Sequence, residues 1–292
     1  MFGPLRVIYP DTTIWNRLLD EAVDPAALRT QLHERGLDIA YSSHVLYELS
    51  KAFEGTRLSS RQKAPELFRR FKSFLEQDFL YVRQNVSILK DEAKAADGEI
   101  CAVQPFGGEE YSLFRARVER LSGGALDSQT AFAIAYRKNQ VRALRTSVTQ
   151  GTSAKLAQLA RIDLEPFIRK LMGQQISRNI LKFHLANLYI IESGSDLTRV
   201  AKKILRTRSY RVAHTFVKTD LFLTWRKERN GTLRRDAADD VYHLVNASYC
   251  DIYCTSDKDQ NDYVPAVLPD VKFAYYDQTK PISDWLCGLS DN

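Results

Sequence analysis

The sequence predicts an α/β protein, in which a parallel sheet assembled from both ends of the chain is interrupted by a large all-helical insertion. Three observations carry this expectation. Short apolar runs, several rich in β-branched residues, stand near residues 6–10, 37–41, 250–254 and 271–275, with helical patterns beside them. The stretch between, residues 60–235, shows helical spacing throughout. The charge divides at the same places: residues 60–235 hold 33 Lys and Arg against 17 Asp and Glu, and the remainder holds 9 against 19. The net +6 is therefore a basic middle of +16 between acidic ends totalling −10.

Arg6, Val7, Ile8, Tyr9 and Pro10 read as a buried strand, closed by Pro10 and Asp11. Thr12 or Thr13 caps a helix carrying Ile14, Trp15, Leu18 and Leu19. A second helix runs from Pro25 to Glu34 and stops at Gly36. Residues 37–41 form the next strand, and Ser42 or Ser43 caps a helix with Val45, Leu46, Leu49 and Phe53. In the middle, helical stripes are expected over 61–81, 110–120, 127–145, 153–172, 174–191 and 196–206, separated at Gly107-Gly108, Gly123-Gly124, Gly151 and Gly194. The α/β pattern returns with a helix over 236–247, strands at 250–254 and 271–275, and a terminal helix from Ile282. The expected division is a discontinuous α/β domain, 1–59 plus 236–292, and a basic helical insertion, 60–235.

Composition excludes several classes. With 292 residues, 44% of them hydrophobic, the chain has enough apolar mass for a full core and is no disordered tract. No apolar run approaches the roughly 18 residues that span a bilayer, so no membrane partner is expected. The first residues lack the pattern of a secretory signal. Cys101, Cys250, Cys254 and Cys287 lack zinc spacing and read as reduced thiols of a cytoplasmic protein. No histidine or cysteine cluster is visible in the spacing.

The chemistry is expected from acids. In an open parallel sheet, ligands bind beyond the carboxyl ends of the strands. Asp11 directly follows the first strand, Asp257 follows the strand ending at Cys254, Glu48 lies on the helix leaving the second strand, and Asp240 sits in the first turn of the helix before residue 250. Singly, each has a bland role as a cap, a helix-dipole charge or a turn residue. Together they can converge on one edge, where clustered carboxylates need a neutralising cation. A hard divalent ion such as Mg2+ fits such ligands and suits phosphodiester hydrolysis.

These blocks resemble the PIN-domain family of nucleases. The resemblance rests on Val7-Ile8-Tyr9-Pro10-Asp11-Thr12-Thr13, on Ile39 to Leu49 with its Ser42 cap and Glu48, and on Asp240 to Ala247 running into Cys250-Asp251-Ile252-Tyr253-Cys254-Thr255-Ser256-Asp257. It covers only the two ends of the chain. It implies a three-layer α/β/α fold and Mg2+- or Mn2+-dependent endoribonuclease activity. It makes Asp11, Glu48, Asp240 and Asp257 the metal-binding acids, with Thr12, Thr255 and Ser256 supporting them. Asp236 and Asp259 are accessory candidates. Thr13 departs from the Asn frequent at its position in the family. Asp239 points about 100° away from Asp240 on a helix and is not expected to share its site.

RNA, expected to be single-stranded, then needs cations for its phosphates. Arg199, Lys202, Lys203, Arg206 and Arg208 form one cluster, and Arg234 and Arg235 another. Arg137, Lys138, Arg142 and Arg145 form a third, and Tyr210 and Trp225 offer stacking surfaces or core. The competing readings are a catalytically silent PIN-like scaffold binding RNA or protein, and a structure-specific DNA nuclease. A phosphatase with an Asp nucleophile fits poorly, because Thr13 stands where a second Asp is needed. A homo-oligomer or a regulatory protein partner is left open.

Overall fold

The computed structural model describes residues 4–54, 58–124, 126, 128–132, 134–136, 138, 139, 142, 154–187, 196–231, 233 and 237–291. Its centre is a five-stranded sheet in the order β3-β2-β1-β4-β5. The strands are β1 (Arg6–Pro10), β2 (Leu37–Ser42), β3 (Leu80–Val82), β4 (Ile252–Thr255) and β5 (Lys272–Tyr275). Every pairing is parallel, and Ile8 lies opposite both Ile39 and Ile252. β1 thus joins a strand from each end of the chain, as the sequence predicts. A parallel sheet is covered on both faces, which is why its strands read as near-continuous apolar runs.

Successive residues of each strand serve opposite cores. Ile8, Ile39, Tyr41, Ile252 and Cys254 pack with helices α1 (Thr12–Asp20), α2 (Pro25–Glu34), α3 (Ser43–Ser50), α4 (Leu58–Leu75) and α6 (Glu110–Ser122). Val7, Tyr9, Ala40 and Tyr253 pack with α5 (Asn85–Asp97), α8 (Leu164–Leu171), α9 (Gln175–Asn187), α10 (Leu197–Arg206), α11 (Arg211–Asn230) and α12 (Ala237–Ala247). A short helix α7 (Ala154–Leu159) and the terminal helix α14 (Ile282–Cys287) complete these layers, with α13 (Val264–Val267) between β4 and β5. Residues from the middle of the chain therefore share both cores with the ends.

The expectation of an all-helical middle is corrected. Leu80–Val82 is a strand, with Ala40 opposite Leu80 and Ser42 opposite Val82. The helix expected over 61–81 ends at Leu75, and the chain turns at Asp78, whose φ of 55° is left-handed. Three residues are too few to show strand alternation, and Phe79 and Tyr81 continue the apolar stripe of α4. The helix expected over 153–172 is two helices, α7 and α8, broken between residues 160 and 163. The described residues between 128 and 142 are helical, as expected there. The helices α5 and α11 have no counterpart in the spacing read above. Among the described residues, no helix is long and apolar enough to cross a membrane. Cys250, Cys254 and Cys287 are buried and free, and Cys101 is half-buried.

From β1 the chain moves outward to β2 and β3, then returns to the other side for β4 and β5. The order reverses between β1 and β4, and the crevice beyond their carboxyl ends is where such sheets bind ligands. The backbone ties the two ends together there, with Asp11 N donating to Cys254 O at 2.9 Å.

Candidate active and metal site

Asp11 leaves β1 into that crevice and caps α1. Its Oδ1 accepts from Thr13 N (2.9 Å), Ile14 N (3.2 Å) and Thr13 Oγ1 (2.5 Å). Its Oδ2 accepts from Thr255 Oγ1 at 2.6 Å and Gln260 Nε2 at 3.4 Å. At 2% exposure, burial raises its pKa, against the His243 charge and the donors from Thr13, Thr255 and Ile14. Thr255 Oγ1 also accepts from Asp257 N at 2.9 Å, and Ser256 N donates to Thr13 Oγ1 at 2.9 Å. Asp257 caps the 3-10 turn Lys258–Asp262 by accepting from Asp259 N at 3.0 Å. Thr13, the departure from the family pattern, is thus a bridge between the two strand ends.

Glu48 lies one helical turn beyond His44 on α3, which Ser42 caps through its bond from His44 N. Glu48 Oε2 accepts from Thr12 Oγ1 at 2.5 Å and stands 2.6 Å from His243 Nε2. His243 comes from α12, and its Nδ1 meets Tyr9 OH at 3.1 Å, which in turn bonds Ser42 Oγ at 2.7 Å. The His44 and His243 rings cross edge to face with centroids 4.6 Å apart. His44 Nε2 lies 3.0 Å from Asp239 O, a carbonyl that only accepts, so this nitrogen carries the proton. Lys51 Nζ bridges Asp239 Oδ2 at 3.0 Å and Glu48 Oε1 at 3.4 Å.

Burial opposes ionisation of Glu48, but the His243 charge and hydrogen bond, with His44 and Lys51 behind them, hold its carboxyl well below the usual range. Burial likewise favours a neutral His243, and Glu48 first, then Asp11 and Asp240, overturn this and raise its pKa. Glu48 and His243 are thus a buried, hydrogen-bonded pair in which each favours the other's charged form. Tyr263, whose buried hydroxyl is unpartnered, has its pKa raised by burial and then by Asp240, Asp257 and Asp11.

The expected acids therefore surround two rings. Glu48, Asp11 and Asp240 act on His243, and Asp240, Asp257 and Asp11 act on Tyr263. Among the described residues, however, the group whose ligand atoms all lie within 4.8 Å of one another is His44, Glu48 and His243. The expectation that no histidine cluster exists is corrected by this group. Its two imidazoles come from opposite ends of the chain, so no local spacing displays them. The usable signal was the i, i+4 placement of His44 and Glu48 beside a Ser cap, and His243 one turn after Asp240. Thr12 supports Glu48, Thr255 supports Asp11, and Ser256 acts through its backbone. Asp259 is exposed. Asp236, Arg234 and Arg235, with Arg137 and Arg145, lie outside the described residues. Asp239 pairs with Lys51.

On α10, Val200, Ala201 and Ile204 face the core, while Arg199, Lys202, Lys203 and Arg206 are exposed and Arg199 pairs with Asp97. Arg208, just beyond, is also exposed. Tyr210 and Trp225 pack against the core, and Trp225 Nε1 donates to Ile162 O at 2.9 Å. No protein-family model matches the chain, and neither a curated protein nor a solved structure matches it.

Proposed function

We propose that this protein is a divalent-metal-dependent endoribonuclease of PIN-like type. The observation that supports the reading best is the meeting of Glu48, His243 and His44 at the carboxyl edge of the sheet, with Asp11 and Asp240 close enough to raise the pKa of His243. The donor set suits a divalent cation: two imidazoles and one carboxylate are accepted more readily by Mn2+, and by borderline ions such as Fe2+ or Zn2+, than by Mg2+, which prefers oxygen alone. His44, Glu48 and His243 would hold it, with Asp240 and Asp257 nearby. Asp11 fits this role less well, because five donors already engage its two oxygens. When bound, the cation supplies Lewis-acid activation of water and offsets phosphate charge.

The chain's own residues do the rest. Thr12 and Lys51 orient the Glu48 carboxylate, and Tyr9 fixes the His243 ring. Asp11 with Thr13 and Thr255 keeps the ends of β1 and β4 in register. The exposed cations of α10 supply the charge a phosphate backbone requires. The saturated Asp11 favours one second reading, a silent scaffold that binds RNA without cleaving it. Incubation with end-labelled single-stranded RNA and DNA, in Mn2+, Mg2+ or chelator, separates the readings. Cleavage of RNA only with metal is expected. Binding without cleavage under every condition supports the scaffold, and cleavage confined to DNA overturns RNA as the substrate.

A further inference from the structure

The acids of the crevice come from the ends of the chain, and the basic middle reaches them through α11. α11 and α12 pack against each other and are joined by residues 231–236 alone, so the end of α11 lies beside the first turn of α12, which carries Asp240. Arg226 stands one turn before the end of α11. One turn earlier on the same face, Phe222 stacks on Tyr263 with centroids 4.3 Å apart. The Arg226 guanidinium carbon lies 5.7 Å from the Phe222 centroid and 6.0 Å from the Tyr263 centroid. Tyr263 directly follows the turn Lys258–Asp262 that Asp257 caps. Its hydroxyl feels Asp240, Asp257, Arg226 and Asp11 together, so the guanidinium belongs to the same electrostatic neighbourhood as the acids.

Other cations of this chain are already engaged. Lys51 is taken up by Glu48 and Asp239, and Arg199 by Asp97. Half-buried Arg226 makes no hydrogen bond or ion pair with any described residue; its recorded contacts are the two rings. A guanidinium held over aromatic rings keeps its N–H donors for an oxyanion, and its planar fork matches two oxygens of one phosphate. Partial removal from water strengthens that attraction.

We propose that Arg226 binds a phosphate of the substrate backbone beside the acid site, so that the middle of the chain anchors the strand whose cleavage the ends perform. That the anchored strand is cleaved rests on the nuclease reading above. The phosphate contact itself does not.

The test is titration of the single-stranded RNA rU12 into the protein in chelator, followed by fluorescence anisotropy at several salt concentrations, so cleavage plays no part. Wild type is compared with Arg226→Gln, with Arg226→Lys, and with Arg69→Gln, an equal loss of charge at an exposed position of α4 in the opposite layer. Arg226→Gln should lose about tenfold in affinity. Its slope of log affinity against log salt should become shallower by about 0.7, the value of one phosphate contact on a single strand. Arg226→Lys should keep the slope and lose about threefold, because a point charge replaces the fork. That variant keeps the test valid if Arg226→Gln fails to fold. Arg69→Gln should keep both affinity and slope. Unchanged binding in either Arg226 variant, equal losses in Arg226→Gln and Arg69→Gln, or no saturable binding by wild type overturns the proposal. In a parallel assay with Mn2+, cleavage whose KM is the same in wild type and Arg226→Gln also overturns it and leaves the nuclease reading standing. Binding with the expected losses but no cleavage under any condition counts against the nuclease reading alone.

Discussion

Replacing Glu92 by Gln should remove a pH dependence from the stability of the protein. Glu92 is fully buried and ties three elements together: it accepts from Val212 N at 2.9 Å, Ala213 N at 2.8 Å and Tyr249 OH at 2.7 Å. Burial outweighs these donors and pushes its carboxyl from 4.5 up to about 7. A raised carboxyl pKa means that the native state binds the proton more readily than the unfolded chain. Its contribution is therefore fully present below about pH 4.5 and is lost as pH rises through about 7. A shift of that size corresponds to about 3 kcal/mol across the window. The glutamine side chain of the Glu92→Gln variant is neutral throughout and places an amide group against one backbone donor. The variant therefore loses about 1–3 kcal/mol at low pH but has no slope from this site. Urea denaturation of both proteins between pH 4.5 and 8.5 measures the difference directly. The gap between them should close as pH rises. A gap constant across the range would refute the reasoning.

Other perturbations follow from the same structure. Asp11→Asn should cost about 1–3 kcal/mol in stability, because an amide NH2 then faces Thr255 or Thr13; a thermal midpoint equal to the wild type contradicts this. Asp257→Asn keeps its cap to Asp259 N and should leave the melting temperature nearly unchanged, which makes it the cleaner activity probe. Phe222→Ala removes the ring stacked on Tyr263 at 4.3 Å and should cost about 3–5 kcal/mol by chemical denaturation.

The ends of the chain were legible because their signals are local. β1, β2, β4 and β5 carry short apolar runs, and α3 is capped by Ser42 as read, whereas α1 is capped by Asp11 and not by the Thr12 or Thr13 read from the sequence. α11 was hidden for a physical reason. Its buried surface includes Thr215, Thr219 and Asp220; the two threonines bond carbonyls of their own helix, and Asp220 Oδ2 meets His184 Nε2 3.0 Å away on α9. Buried polar residues erase the apolar stripe that spacing arguments need. β3 borrowed its apolar residues from the end of a helical pattern. The four acids were read from strand ends and do stand around the crevice, but His44 and His243 meet only once the sheet has joined two distant helices. Thr13 was read as a departure, and its bridging of Asp11 to Ser256 needed β4 to lie beside β1.

The central claim is that His44, Glu48 and His243 form a divalent-cation site. Titration of Mn2+ into the protein, followed by calorimetry and by electron paramagnetic resonance of the free ion, measures this directly. Saturable binding is predicted in the wild type, weakened at least tenfold in both His44→Gln and Glu48→Gln, each confirmed as folded by circular dichroism. Equal affinity in the folded variants, or no saturable binding in the wild type, would contradict it.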